Sequence, residues 1–183
     1  HREWLLQAIE HLRRTPATAA LVDERSALWT VSPSGRAATG RLTFWRERAE
    51  GGELMRDFAD PALDTRFLGD LYQDLSEHAK KTYALLQTPD FVEEFILDRT
   101  LEPALAERPL EGFKMIDPAC GSGHFLLGAF ARLLDRWQRH SPGLEPRVRV
   151  QKALDAVWGV DINPFAVAIA RFRLLLAAVE ALG

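Results

Sequence analysis

Apolar positions in the first fourteen residues, Trp4, Leu5, Ala8, Ile9 and Leu12, recur at helical spacing, and Thr15-Pro16 ends the pattern. An amphipathic helix therefore opens the chain. Between Leu21 and Gly52 short apolar groups, Leu28-Trp29 and Leu42-Thr43-Phe44-Trp45, flank Ser32-Pro33-Ser34-Gly35, a pattern that fits a hairpin or an irregular loop. A boundary falls at Gly51-Gly52 or Asp60-Pro61, after which Phe67, Leu68, Leu71, Tyr72 and Leu75 give a second helical stripe running to about Leu86. Thr88-Pro89-Asp90 reads as a helix start, with Thr88 as N-cap and Pro89 at the first helical position, and that helix runs through Phe91, Phe95 and Ile96. Phe113 to Asp117 is a short strand that ends in an acid and passes directly into Pro118-Ala119-Cys120-Gly121-Ser122-Gly123. A helical pattern follows from Phe125 to Trp137 and is closed by Ser141-Pro142-Gly143. A second strand, Ala156 to Val160, ends at Asp161, and Asn163-Pro164 caps a long last helix. The alternation of helix and strand predicts an α/β fold of the doubly wound kind, truncated to two core parallel strands and preceded by a mainly helical N-terminal region.

Composition narrows the chemistry. With 183 residues, 47% of them hydrophobic, the chain suits a globular protein, and its most apolar stretch, Phe165 to Leu182, is interrupted by Arg171, Arg173 and Glu180, so no membrane segment is expected. His1-Arg2-Glu3-Trp4 shows neither an initiator Met nor a signal-peptide pattern, which reads as a start inside a longer protein. A single cysteine, Cys120, excludes an intrachain disulfide and fits a reducing cytoplasm, and five scattered histidines suggest no metal. A net charge of −3 is not that of a self-sufficient DNA binder, so any grip on DNA belongs largely to regions outside this chain.

The glycine loop is the informative feature. Gly121 and Gly123 lie between a strand and a helix, where the chain must turn sharply and a ligand can approach main-chain N–H groups. A dinucleotide fingerprint wants a third glycine where Leu126 stands, and a phosphate-cradling loop wants Lys-Ser/Thr where Ala129-Phe130 follow Gly128. What remains is a ligand with an amino-acid portion near the loop and a ribose within reach of Asp161, whose carboxylate can accept both ribose hydroxyls. Hydrogen bonds to a charged group contribute roughly 1.5–3 kcal/mol each against about 0.3–1 for a helix dipole, so Asp161 is expected to dominate; the alternative is that it only caps the turn before the last helix.

Asp117-Pro118-Ala119-Cys120-Gly121-Ser122-Gly123-His124-Phe125 resembles motif I of the amino-methyltransferases that modify adenine in DNA. Gly159-Val160-Asp161-Ile162-Asn163-Pro164 looks like motif II of that family, and Gln87-Thr88-Pro89 like its motif X. Motif X ahead of motif I is similar to the gamma-type arrangement of type I and type IIG restriction-modification enzymes. More narrowly, Phe67 to Ser76 and Phe165 to Arg171 look like the PglX methyltransferases of bacterial phage-defence systems (BREX and phage growth limitation). The resemblance covers residues 67 to 179 and implies three regions: 1–66, mainly helical with the hairpin; 67–110, helical and carrying motif X; and 111–183, the first part of a Rossmann-like domain that binds S-adenosyl-L-methionine. Asp117 and the backbone of Cys120, Gly121, Ser122 and Gly123 would surround the methionine part, with Pro118, Ala119 and Phe125 also among the cofactor-binding residues. Asp161 would hold the ribose, Ile162 would pack on the adenine, and Thr88 and Pro89 would close the pocket. The catalytic motif of the family, Asn/Asp/Ser-Pro-Pro-Tyr/Phe, is absent, and Asn163-Pro164-Phe165 stands where motif II belongs, so the chain by itself is expected to be inactive.

Other residues carry paired expectations. Cys120 suits a packed thiol better than a nucleophile, for no base lies beside it in sequence. His124 fits either cofactor contact or a solvated helix start, and Phe125 either cofactor contact or packing. Phe91, Phe95, Trp137 and Trp158 are expected in the core. Arg132, Arg136 and Arg139 fit either DNA phosphates or a solvated face. Alternatives to a DNA enzyme are a methyltransferase of RNA or protein and a non-catalytic interaction module of a defence complex. A truncated sheet further predicts self-association through its open edge.

Overall fold

A computed structural model describes residues 1–16, 18–19, 21–24, 26–30, 33–56, 65–75, 81–82 and 88–183. The chain divides into two compact units, His1–Ala62 and Leu63–Gly183. No helix among the described residues is long and apolar enough to cross a membrane.

In the first unit the expected opening helix is α1, Arg2–Arg14, ended by Thr15, whose N–H donates to the Leu12 carbonyl. A 3₁₀ turn, Ala27–Thr30, and a helix, α2, Gly35–Arg46, follow. The hairpin or irregular loop expected between Leu21 and Gly52 is thus largely a helix. Ser34 caps α2, its Oγ accepting from the Ala37 N–H at 3.2 Å, and the face that packs carries Ala38 and Leu42, four residues apart and both buried. Among the described residues there, β structure is confined to an antiparallel bridge, Arg48 with Leu54.

The second unit opens with α3, Arg66–Leu75. Residues 76–80 and 83–86, most of the rest of the stripe toward Leu86, and Gln87 of the expected motif X lie outside the described residues. Helix α4 is Asp90–Glu107. Its N-cap is Pro89, not Thr88: Pro89 keeps an extended ψ of 147°, and its carbonyl accepts from the N–H groups of Val92 and Glu93, so the helix begins one residue later than expected. Asp90 and Glu93 in the first turn complement the helix dipole, and Leu97, Leu101 and Leu105, spaced by four, form its buried face.

Strand β1, Met115–Asp117, pairs in parallel with β2, Val157–Gly159, in the register Met115 to Val157, Ile116 to Trp158 and Asp117 to Gly159. Helix α5, His124–His140, follows the glycine loop, and α7, Pro164–Glu180, follows β2. Asn163 caps α7 as expected, its Oδ1 accepting from the N–H groups of Phe165 and Ala166. An additional helix, α6, Pro146–Ala156, fills the crossover between α5 and β2 and buries Val150, Ala153 and Ala156. The core lies among α4, α5 and α6, around Leu101, Phe130, Leu133 and Trp137, with Met115 and Val157 of the sheet packed against it.

Alternation along the strands turns Ile116 and Trp158 to the opposite face, where both are exposed. Trp158 is therefore not a core residue. Neither are Phe91, 72% exposed, and Phe95, 59% exposed, because the four-residue spacing that buries α4 runs through Leu97, Leu101 and Leu105 instead. Trp137 is buried as expected.

Helices α4 and α5 meet at a notch. A Cβ on Gly128 of α5 would stand 2.2 Å from Glu93 Oε1 and 2.7 Å from Leu97 Cδ1 of α4, so glycine is what lets these side chains seat against the α5 backbone.

Candidate functional site

Parallel pairing puts the carboxyl ends of β1 and β2 side by side, and the ladder continues past both strands. The Val160 N–H donates to the Asp117 carbonyl at 2.9 Å, and the Cys120 N–H to the Val160 carbonyl at 3.0 Å. The glycine loop is thereby laid against the Asp161 turn, at the end of the sheet where open α/β folds take their ligands.

Asp161 joins the two loops. Its Oδ2 accepts from the Gly121 N–H at 2.8 Å, across 40 residues of sequence, and its Oδ1 accepts from the Asn163 N–H at 2.8 Å. It does cap the turn before α7, and it also ties that turn to the glycine loop. An ionised carboxylate has about four acceptor positions, so these two bonds leave others open. Asp117 makes a local turn, with Oδ1 accepting from the Ala119 N–H at 3.0 Å, and Pro118 and Ala119 are exposed.

Gly123 sits at the N-terminus of α5 with φ +89°, and a Cβ there would lie 2.9 Å from the Cβ of Ala170 on α7. Gly121, at φ +51°, has open space on its Cβ side. The loop is thus pressed against α7 at one glycine and open at the other.

Cys120 is buried, and burial, reinforced by the Asp117 and Asp161 carboxylates, pushes its thiol up to about 11. A thiol held neutral in this way is a packed side chain and not a nucleophile. His124 is also buried, with its Nδ1 3.4 Å from Ser122 Oγ, so the solvated helix start is excluded. Phe125 is half-buried against the core. Ile162, beside Asp161, is 82% exposed. Thr88 is half-buried and Pro89 exposed at the head of α4.

Two residues that the sequence did not mark as part of the site are built into it. Arg173, only 1% exposed, donates from Nη1 to the Ser122 carbonyl at 2.8 Å and from Nε to Thr65 Oγ1 at 3.1 Å. Tyr72 donates its hydroxyl to Asn163 Oδ1 at 3.2 Å. Nothing local signals either one, because the partners are 51, 108 and 91 residues distant.

The arginines of α5 are engaged elsewhere. Arg132 bonds Asp98 and Glu102, Arg136 bonds Glu102, and Arg139 bonds Asp135. Arg132 and Arg136 are thus paired with acids of α4 and are not a freely solvated face.

Residues 98–181 match the family model of the MmeI DNA-methyltransferase domain. This part of the chain is thus similar to a DNA-methyltransferase domain. Over its whole length it is 55% identical to the adenine-specific methyltransferase PglX of Streptomyces coelicolor, of which it covers 16%. It is 27% identical, over 76% of its length, to a putative type II restriction enzyme and methyltransferase of Methanocaldococcus jannaschii, RM.MjaORFECS2P, of which it again covers 16%. It is also 28% identical, over 55% of its length, to the type II methyltransferase M.BstVI of Geobacillus stearothermophilus. The chain spans about one sixth of the length of these curated relatives. No solved structure matches it.

Proposed function

We propose that this chain holds S-adenosyl-L-methionine between the glycine loop and the Asp161 turn, as the cofactor-binding part of a DNA adenine-N6 methyltransferase of restriction-modification or phage defence. The paired strands are, on this reading, the beginning of a Rossmann-like methyltransferase sheet. The observation that carries it is the bond from the Gly121 N–H to the Asp161 carboxylate, which brings together two motifs far apart in sequence.

The residues present suit the cofactor. The acceptor positions left on Asp161 serve the two ribose hydroxyls. Ile162, exposed next to them, offers an apolar surface to the adenine ring. The open side of Gly121 lets the methionine portion approach the loop backbone, with Asp117 placed for its ammonium group. On this reading Phe125 would border this end of the site, and Thr88 and Pro89 would close its outer edge. The bound sulfonium would supply the methyl group. An Asn/Asp/Ser-Pro-Pro-Tyr/Phe segment, which would present a flipped-out adenine, does not occur in these 183 residues. The role assigned to this chain is therefore to hold and orient the methyl donor, with DNA contact made largely by other parts of the protein.

Calorimetric titration of the chain with S-adenosyl-L-methionine, beside Asp161→Ala, tests this. Saturable binding is expected, weakened at least about tenfold in the variant, the factor that the loss of one hydrogen bond to a charged group carries. Absence of binding by a folded wild-type chain refutes the assignment of the pocket.

A further inference from the structure

Two hydrogen-bonded relays begin on or beside α3 and end on the two loops of the pocket. In the first, the Tyr72 hydroxyl bonds Asn163 Oδ1, the Asn163 N–H bonds Asp161 Oδ1, and Asp161 Oδ2 receives the Gly121 N–H. In the second, Thr65 Oγ1 receives Arg173 Nε, and Arg173 Nη1 holds the Ser122 carbonyl. Both middle residues are buried, Asn163 at 0% and Arg173 at 1% exposure, so their polar atoms have little water to fall back on. Asn163 is held through one side-chain atom. Its Nδ2 is buried with no hydrogen-bond partner, which leaves its side chain oriented through Oδ1 alone, by two α7 N–H groups and the Tyr72 hydroxyl.

We propose that Thr65 and Tyr72 are positioning residues for the cofactor pocket: neither belongs to its loops, yet through Arg173 and Asn163 they fix the attitude of the Ser122 carbonyl and of the Asp161 carboxylate. The inference rests on the S-adenosyl-L-methionine assignment above for its functional meaning, but the mechanical link stands on this chain's own bonds. Its consequence is that the segment ahead of motif X tunes cofactor affinity without touching the cofactor. In the Tyr72 relay Asp161 is the residue through which that tuning acts, and in the Thr65 relay it is the Ser122 carbonyl. A tilt of the Asn163 amide moves the acceptor of the Gly121 N–H, and with it the acceptor positions offered to the ribose.

Packing and positioning can be separated because the Tyr72 ring also lies against Phe165, with centroids 6.4 Å apart. Tyr72→Phe keeps that contact and removes only the hydroxyl. Thr65→Val likewise removes only a hydroxyl, and Thr65→Ser restores it. Amide hydrogen exchange of the chain without cofactor is the first readout. In Tyr72→Phe the Gly121 and Asn163 amides are expected to exchange about fivefold faster, the factor corresponding to a neutral hydrogen bond of about 1 kcal/mol, while the Phe130 and Leu133 amides inside α5 keep their rates. The second readout is cofactor affinity. Tyr72→Phe and Thr65→Val are each expected to weaken binding severalfold, Thr65→Ser to recover it, and Tyr72→Phe to have no further effect once Asp161 is alanine.

Unchanged exchange at Gly121 in Tyr72→Phe overturns the proposal, as does an equal acceleration at Phe130 and Leu133, which would mark a general loss of stability. If exchange at Gly121 rises selectively but the wild-type chain binds no S-adenosyl-L-methionine, the relay stands and the assignment of the ligand falls.

Discussion

Gly123 is the position where a single methyl group most directly tests the packing of the glycine loop. Alanine there must adopt φ +89°, which costs an L-residue about 1–2 kcal/mol. Its Cβ must also stand 2.9 Å from Ala170 Cβ and 3.2 Å from Ala170 Cα, atoms that belong to the body of α7 and cannot swing aside. Overpacking of that kind costs about 1–3 kcal/mol. Gly123→Ala is thus expected to destabilise the Leu63–Gly183 unit by about 2–5 kcal/mol. The two contributions come apart in a double variant. Ala170→Gly by itself costs about 0.5–1 kcal/mol as a glycine inside a helix, but beside Gly123→Ala it removes the closer, 2.9 Å contact and leaves the backbone penalty. The pair should therefore be less destabilised than the sum of the singles by about 1–3 kcal/mol. Urea unfolding followed by hydrogen exchange of α5 peptides measures this coupling. Additivity to within about 0.5 kcal/mol would refute the claim that the loop is held by contact with α7.

Three further expectations follow from the same structure. Because the folded-state pKa of Cys120, about 11, lies above its ordinary value of 9.0, its contribution to stability is complete below pH 9 and is lost as pH rises from 9 to 11, where the unfolded chain ionises first. The difference in stability between the wild type and Cys120→Ala should shift across that window by up to about 3 kcal/mol, and a flat difference contradicts the buried thiol. Glu102→Gln leaves Arg132 and Arg136 without a shared acid and is expected to cost about 1 kcal/mol or less in urea unfolding, shrinking at high salt; an effect insensitive to salt contradicts an ionic origin. Self-association is expected through the open sheet face of Ile116 and Trp158, reduced by Ile116→Lys, and a monomeric mass by light scattering at high protein concentration rejects it.

Elements with strong local signals were legible in the sequence: α1 and its stop at Thr15-Pro16, the strand, glycine loop and helix around Asp117, and α7 behind its Asn163-Pro164 cap. Two helices were not, for a common reason. The buried face of α2 rests on Ala38 and Leu42 and that of α6 on Val150, Ala153 and Ala156, and alanines contribute little to a hydrophobic pattern while the more conspicuous Phe44 and Trp45 face outward. The aromatic pair Phe91 and Phe95 misled in the opposite direction, since size suggested burial and the leucine stripe of α4 supplied it. Within the site, the sequence indicated both strand-end acids and the loop but not what holds them together. Arg173 stood out only as an interruption of an apolar run, and its partners become visible only when α3, the glycine loop and α7 are brought into contact.

The notch at Gly128 bears on how a ligand would enter. Helix α4 starts directly after Thr88-Pro89 and α5 directly after the glycine loop, and Glu93 and Leu97 seat one helix on the backbone of the other. The first turns of α4 and the start of α5 are consequently packed as one block. On the proposed assignment of Thr88 and Pro89 to the edge of the cofactor pocket, association rates are expected to rise in proportion to ligand concentration without a slow closing phase, and a saturating rate would contradict a rigid edge.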